Sequence, residues 1–180
     1  STADMKFKTD LLREGCTAAK EYDEKIVQVI GNLITVDHTI QIANSDGLFT
    51  SDRHIRTRMA IAATASDGHE NQTGFSGPGR GMGPEVFDLF PPREIGKEAA
   101  RIAMVNLSAG YCPAGEMTVA IENGFGGVIF HESCGHSLEA TAVGTGTSQM
   151  CGKLGQKIAN EKVTAVDDGT IPGAWGSVNI

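Results

Sequence analysis

The sequence predicts an α+β fold: an antiparallel, strand-rich domain with flanking helices, followed by a strand–turn–helix unit that carries a metal-binding pattern. Three observations predict it. Residues 5–25 place apolar groups at near-helical spacing, residues 26–65 run in β-branched stretches around a strong turn, and residues 126–139 lead glycines and an apolar run into two histidines. The break at Cys112-Pro113-Ala114-Gly115 divides the chain into 1–114 and 115–180.

Taken in order, Phe7, Leu11, Leu12, Ala18, Ala19 and Tyr22 mark an amphipathic helix, with Gly15 as a weak point in its middle. Short strands are expected at Ile26–Ile30, Leu33–Val36 and His38–Ile42, and Asn44-Ser45-Asp46-Gly47 is a turn between strands. In the next strand Ile55, Thr57, Met59 and Ile61 share one face, and His54, Arg56, Arg58 and Ala60 share the other. An antiparallel meander with one solvated polar face follows from that alternation. His38, His54 and His69 have no metal-like spacing and are expected to be structural or exposed.

Residues 74–84 are glycine-rich but lack the GxGxxG order, the Walker lysine and a long following helix, so a surface loop is expected rather than a phosphate cradle. Pro91-Pro92 leads into a helix of about 93–109 with Ile95, Ala99, Ile102, Val105 and Ala109 as its apolar stripe. Glu94–Lys97 and Glu98–Arg101 form i,i+3 pairs on its solvent side. Beyond the break, Met117–Ile121 reads as a strand, Asn123-Gly124 as a turn, and Gly126-Gly127 as the opening of the histidine-bearing helix. A loop (142–148), a short helix (Lys153–Asn160), a strand (Lys162–Val166) and a turn at Asp167-Asp168-Gly169 complete the chain.

The bulk properties are those of a globular protein: 180 residues, 40% hydrophobic and 21% charged. A net charge of −7 without a basic cluster argues against nucleic acid as partner. No apolar run reaches the roughly 20 residues of a membrane span, and four scattered cysteines without C-x-x-C spacing indicate no disulfide framework. Both readings suit a cytoplasmic location.

His131-Glu132-Ser133-Cys134-Gly135-His136 carries the chemistry. Two imidazoles can hold zinc, and a carboxylate can take a proton from water at such a site. The spacing is unusual. Residues four apart lie roughly 40° apart around a helix, whereas residues five apart lie about 140° apart. A π-turn would bring His131 and His136 back to one side, and Gly135 is where the backbone deforms most readily. The backbone around 133–136 is therefore expected to depart from α-helical bonding. On spacing alone, two histidines and a glutamate on a partly buried helix remain an equal reading.

The flanks add to this. HESCGHSLEA resembles the HExxxHxLE motif of the TldD/PmbA family of zinc metallopeptidases, in its TldD-like branch. Ala43–Gly47, Asn106–Ala109, Pro113–Met117 and Val166–Pro172 resemble further family signatures in family order. The resemblance implies a central fragment of a longer protein, with 115–180 the start of the C-terminal metallopeptidase domain. It implies that His131 and His136 are zinc ligands, that Glu132 is the general base, and that Glu139 orients a histidine or is an ordinary surface acid. The family's third ligand is a cysteine with no counterpart here; neither Cys134 nor Cys151 matches it. The third ligand is expected outside this chain, and the fragment alone is expected to be inactive. The implied activity is hydrolysis of short or unfolded peptides in the cytoplasm, by a homodimer or a heterodimer with a related subunit. The alternative is a non-catalytic peptide-binding or assembly paralogue; PmbA-like branches lack the intact motif, which this chain keeps.

Overall fold

The computed structural model describes residues 4–124 and 126–178 and contains two compact units, one of residues 4–111 with 167–178 and one of residues 112–166. In the first, helix α1 (Met5–Lys20) is started by Asp4, whose carboxylate accepts the Lys6 N–H at 3.2 Å. Two long strands follow, β1 (Ile26–Ala43) and β2 (Phe49–Ser66), then β3 (Asn71–Ser76) and β4 (Gly79–Arg80). β1, β2 and β3 form an antiparallel meander, and β4 adds to β2 at Thr57 and Arg58. The expected meander is present.

The three short strands expected over 26–42 are one continuous strand. Gly31 looks like a break in sequence, yet a Cβ there would lie 2.5 Å from Cys16 Sγ and 2.8 Å from Leu12 Cδ1. The glycine lets α1 lie close on β1. At the hairpin tip the Asn44 side chain accepts from Asp46 N–H and Leu48 N–H, both at 3.0 Å, and Gly47 takes φ of 87°.

Alternate residues of β2, from Thr57 through Met59, Ile61 and Ala63 to Ala65, are buried beneath the helices. The partner layer is Ala19 of α1 with Ile95, Ala99, Ala100 and Ala103 of α3 (Pro92–Ser108), which follows the short helix α2 (Val86–Leu89). Pro92 sits in the first turn of α3, where its missing N–H costs nothing. The buried side of α3 is Ile95, Gly96, Ala99, Ala100 and Ala103, not the stripe through Ile102, Val105 and Ala109 expected from hydrophobicity; Val105 is exposed. Small residues set that face because three backbones meet there. A Cβ on Gly96 would lie 2.0 Å from the Gly15 carbonyl oxygen, and one on Gly74 would lie 2.1 Å from that of Ala99. Both expected ion pairs of α3 form, Lys97–Glu94 and Arg101–Glu98 at 2.8 Å.

The outer sheet face differs from the solvated polar face expected. On β1 it presents Ile30, Ile34, Val36 and Ile42, all exposed, and Ile34 and Val36 stand opposite Arg58 and Arg56. The arginines are covered rather than solvated. Arg58 Nε donates to Gly77 O at 2.9 Å with its guanidinium over Phe75, and Arg56 lies over Trp175. The glycine-rich stretch is likewise only partly loop, since it contains the end of β3 and all of β4.

In the second unit, α4 (Gly127–Phe130) runs into a π-helical turn (His131–Gly135), a 3₁₀ turn (His136–Leu138) and α5 (Ala140–Gly144). The expected turn at Asn123-Gly124 is present with Gly124 at φ of 96°, while α5 takes the start of the expected 142–148 loop. The strands expected at Met117–Ile121 and Lys162–Val166 and the helix expected at Lys153–Asn160 do not form. No described residue of 112–166 is buried, and Met117, Val119 and Ile121 lie exposed. An apolar alternation becomes a strand only when a neighbour bonds its backbone, and among the described residues none does here.

Candidate metal centre

The candidate site is built by one irregular turn. Gly126 opens α4, and the regular bonding then fails at the histidines, where the His136 N–H donates to the His131 carbonyl five residues back. Wider bonding of this kind returns residues five apart to one side of the helix. The expected departure from α-helical bonding is present over His131–Gly135. The two imidazoles meet with ring centroids 4.3 Å apart at an interplanar angle of 64°. Ser133 supports the turn by donating its hydroxyl to the Ile129 carbonyl.

Glu132 joins the pair. One ligand atom from each of His131, Glu132 and His136 lies within 4.8 Å of the others, and Glu132 Oε2 is 3.7 Å from His136 Nε2. On the other side of the His136 ring, Nδ1 lies 2.6 Å from Glu139 Oε1. The Glu139 hydrogen bond, then its charge, and more weakly the Glu132 charge hold the His136 pKa above its ordinary value. Where Glu139 accepts from Nδ1–H, it fixes the ring and leaves Nε2 with the lone pair.

Two imidazole nitrogens with a carboxylate beside them suit a divalent metal ion, and all three residues are exposed, leaving room for further ligands. The His136–Glu139 contact yields a measurable expectation. If the site holds a divalent metal, Glu139→Ala in the full-length protein should weaken that binding about 10–100-fold while leaving the histidines in place. Unchanged affinity in a zinc titration would make Glu139 a surface acid. Cys134 lies outside the three-residue group, and Cys151 turns elsewhere, its thiol donating to Val143 O at 3.3 Å.

A helical His–Glu–His group in a chain that also carries an antiparallel α+β unit is an arrangement of the metallopeptidase kind. Residues 1–107 match the PmbA/TldA metallopeptidase central domain, and residues 114–180 match the PmbA/TldA metallopeptidase C-terminal domain. The chain belongs to the PmbA/TldD metallopeptidase family. It is 34% identical over 182 residues to the metalloprotease TldD homolog of Buchnera aphidicola from Acyrthosiphon pisum, covering 97% of this chain and 38% of that protein. The corresponding homolog of Haemophilus influenzae is 33% identical over 178 residues, covering 96% and 37%. A metalloprotease of Methanothermobacter thermautotrophicus is 32% identical over 148 residues, covering 82% and 33%. A crystal structure from Thermotoga maritima, described as a candidate modulator of a DNA gyrase, superposes with a TM-score of 0.72 at 24% identity. It covers 88% of this chain and 36% of that one, and the likeness speaks for the fold. The chain thus spans about 38% of the length of the first of these relatives.

A second group of polar side chains lies in the first unit, where metal-like spacing gives no signal. His54 Nε2 lies 2.7 Å from Asp52 Oδ2, and both line a cleft with Arg56 and residues 169–174. The alternation of Asp52, His54 and Arg56 on one strand face is legible in the sequence; the chain segment that returns to cover it is not.

Proposed function

We propose that the full-length protein is a zinc-dependent peptidase that hydrolyses short or unfolded peptides in the cytoplasm. The observation that carries this reading is the π-turn, which sets His131, His136 and Glu132 side by side despite their five-residue spacing. His131 and His136 hold the metal through ring nitrogens, and Glu139 keeps the His136 ring oriented. A bound zinc ion supplies a Lewis acid that lowers the pKa of water to about 7. Glu132 accepts the proton of the attacking water on its carboxylate and delivers it to the amine nitrogen that leaves as the peptide bond breaks.

On this reading a third protein ligand comes from outside residues 1–180, and the 180-residue chain alone is inactive. The exposed Ile/Val stripe of β1 supports assembly, either as a homodimer or with a related family subunit. Among the described residues no helix is long and apolar enough to cross a membrane. The test is metal removal from the full-length protein. Chelation should abolish cleavage of an unstructured peptide and zinc should restore it, whereas His131→Ala and His136→Ala variants should neither retain zinc nor be rescued. Full activity in the metal-free protein would overturn the reading.

A further inference from the structure

The long hairpin of the first unit brings together two histidines that chain spacing keeps apart. His38 of β1 stands directly opposite His54 of β2 in the antiparallel register, which also pairs Val36 with Arg56 and Ile40 with Asp52. Directly opposed residues project from the same side of a sheet, with Cβ atoms about 4.5–5.5 Å apart. Two imidazoles on such a pair can reach one ion between them, as two on neighbouring turns of a helix do. Residues two apart on a strand share a face, so Asp52 lies on that side as well.

One of the two rings is already set as a ligand. His54 Nε2 lies 2.7 Å from Asp52 Oδ2, and the His54 side chain is only 12% exposed. Where Asp52 accepts from Nε2–H, the ring is fixed and Nδ1 keeps the lone pair, the arrangement in which histidines backed by a carboxylate hold metals. The His54 hydrogen bond, and then that of the Arg53 N–H, hold the Asp52 carboxyl below its ordinary range, so at neutral pH it is an anion that offsets part of a cation's charge. Arg56, the next residue along that face of β2, is turned over Trp175 at 5.9 Å. Asp52 and His54 also border the open cleft of about 220 Å³, which admits water to an ion's remaining positions. Among the described residues only His131, Glu132 and His136 already stand within 4.8 Å of one another, so His38 has to turn toward His54 to close this second group. That is a rotamer change of one exposed side chain.

The place in the fold gives such an ion something to do. β4 ends its pairing with β2 at Thr57, so from Arg56 back to Phe49 β2 is bonded, among the described residues, to β1 alone. A two-stranded ribbon is marginally stable by itself. Here β1 is exposed on both faces from Val36 to Thr39, so no helix packs over the ribbon to hold it. A metal bound by one histidine of each strand fastens the ribbon in its register.

We propose that His38 and His54, with Asp52 orienting the latter, form a second metal site, which takes one transition-metal ion such as zinc and clips the two arms of the hairpin together. The site shares no residue with the histidine turn and does not rest on the peptidase reading. With two protein ligands it exchanges its metal readily, so it fills when zinc is added and empties on purification.

The experiment titrates zinc into metal-free, full-length protein carrying both His131→Ala and His136→Ala, so that the histidine turn contributes nothing. One saturable site should remain, and magnesium, which imidazole suits poorly, should not occupy it. Adding His38→Ala or His54→Ala should abolish the saturation, and adding Asp52→Ala should weaken binding about 10–100-fold, the scale of a lost orienting partner. Zinc should also slow hydrogen exchange at 36–42 and 50–56, and that protection should vanish with His38→Ala. If the double variant does not fold, wild-type full-length protein compared with its His38→Ala variant decides the matter, since at saturation the variant should hold one zinc fewer per chain. No saturable binding in the folded double variant, binding that survives both His38→Ala and His54→Ala, an unchanged zinc count in the wild-type comparison, or protection that spares the hairpin would overturn the proposal.

Discussion

On the proposed zinc-peptidase reading, full-length protein carrying Glu132→Gln should lose peptide hydrolysis by about 10²–10⁴-fold and keep its metal, because a positioned base contributes on that scale. Glutamine has nearly the shape of glutamate and still offers an oxygen to its neighbours, but it cannot accept a proton. Glu132 stands beside His136 Nε2 at 3.7 Å, close enough to share a site and too far for a direct hydrogen bond. Both nitrogen ligands remain in the variant, so metal content should be near that of the wild type. Paired measurements of bound zinc and cleavage rate separate the possibilities. Loss of zinc together with activity would make Glu132 a ligand, and retained activity would place the base elsewhere.

The largest stability effects should come from the glycines under α3. In an isolated helix, Gly96→Ala would be stabilising by about 1 kcal/mol, since alanine has the better helix propensity. Here the added methyl would stand 2.0 Å from the Gly15 carbonyl oxygen, and the Ala19 N–H would be only 3.1 Å away. Those are backbone atoms of another helix, which cannot rotate aside as a side chain can. Overpacking costs about 1–3 kcal/mol and occasionally more, so a net loss of about 2 kcal/mol is expected. Gly74→Ala should cost more. Its methyl would approach Ala99 O at 2.1 Å and Ala103 N at 2.3 Å, and a strand offers no helix-propensity gain to offset it. Urea unfolding of the full-length protein measures both; a raised midpoint for either would mean that the helices do not approach the sheet this closely.

The same glycines mark the limit of what a sequence pattern conveys. In sequence Gly15 looks like a weak point, Gly31 like a break and Gly74 like a loop residue, and Gly96 lies outside the apolar stripe expected for its helix. In the fold, three of them are points of closest approach between backbones, and Gly31 seats α1 against β1. Hydrophobicity alone selects Val105, which is exposed, for the stripe of α3 in place of Gly96, Ala100 and Ala103, which are buried. The pattern of small residues at 96, 99, 100 and 103 is legible at i, i+3, i+4 and i+7. It marks a helix held close to its neighbours rather than one held by large side chains.

Local chemistry was enough to determine the helices α1 and α3 with the salt bridges of the latter, the alternation of β2 and the Asn44–Gly47 turn. Each rests on neighbours a few residues apart, where propensity and period act directly. The five-residue spacing of His131 and His136 by itself also called for a non-α turn, because no regular α-helix puts both on one side. Only the tertiary structure decided that β1 is one strand, which face of α3 is buried, and that Glu139 rather than a cysteine touches a histidine ring. It alone decided, too, that residues 169–174 return to wall a cleft along β2 and that 117–121 stay unpaired. The physical reason is common to these cases. A strand, a close helix contact or a cleft wall is completed by a partner far away in the chain, and a period within one segment carries no information about which distant backbone will come to meet it.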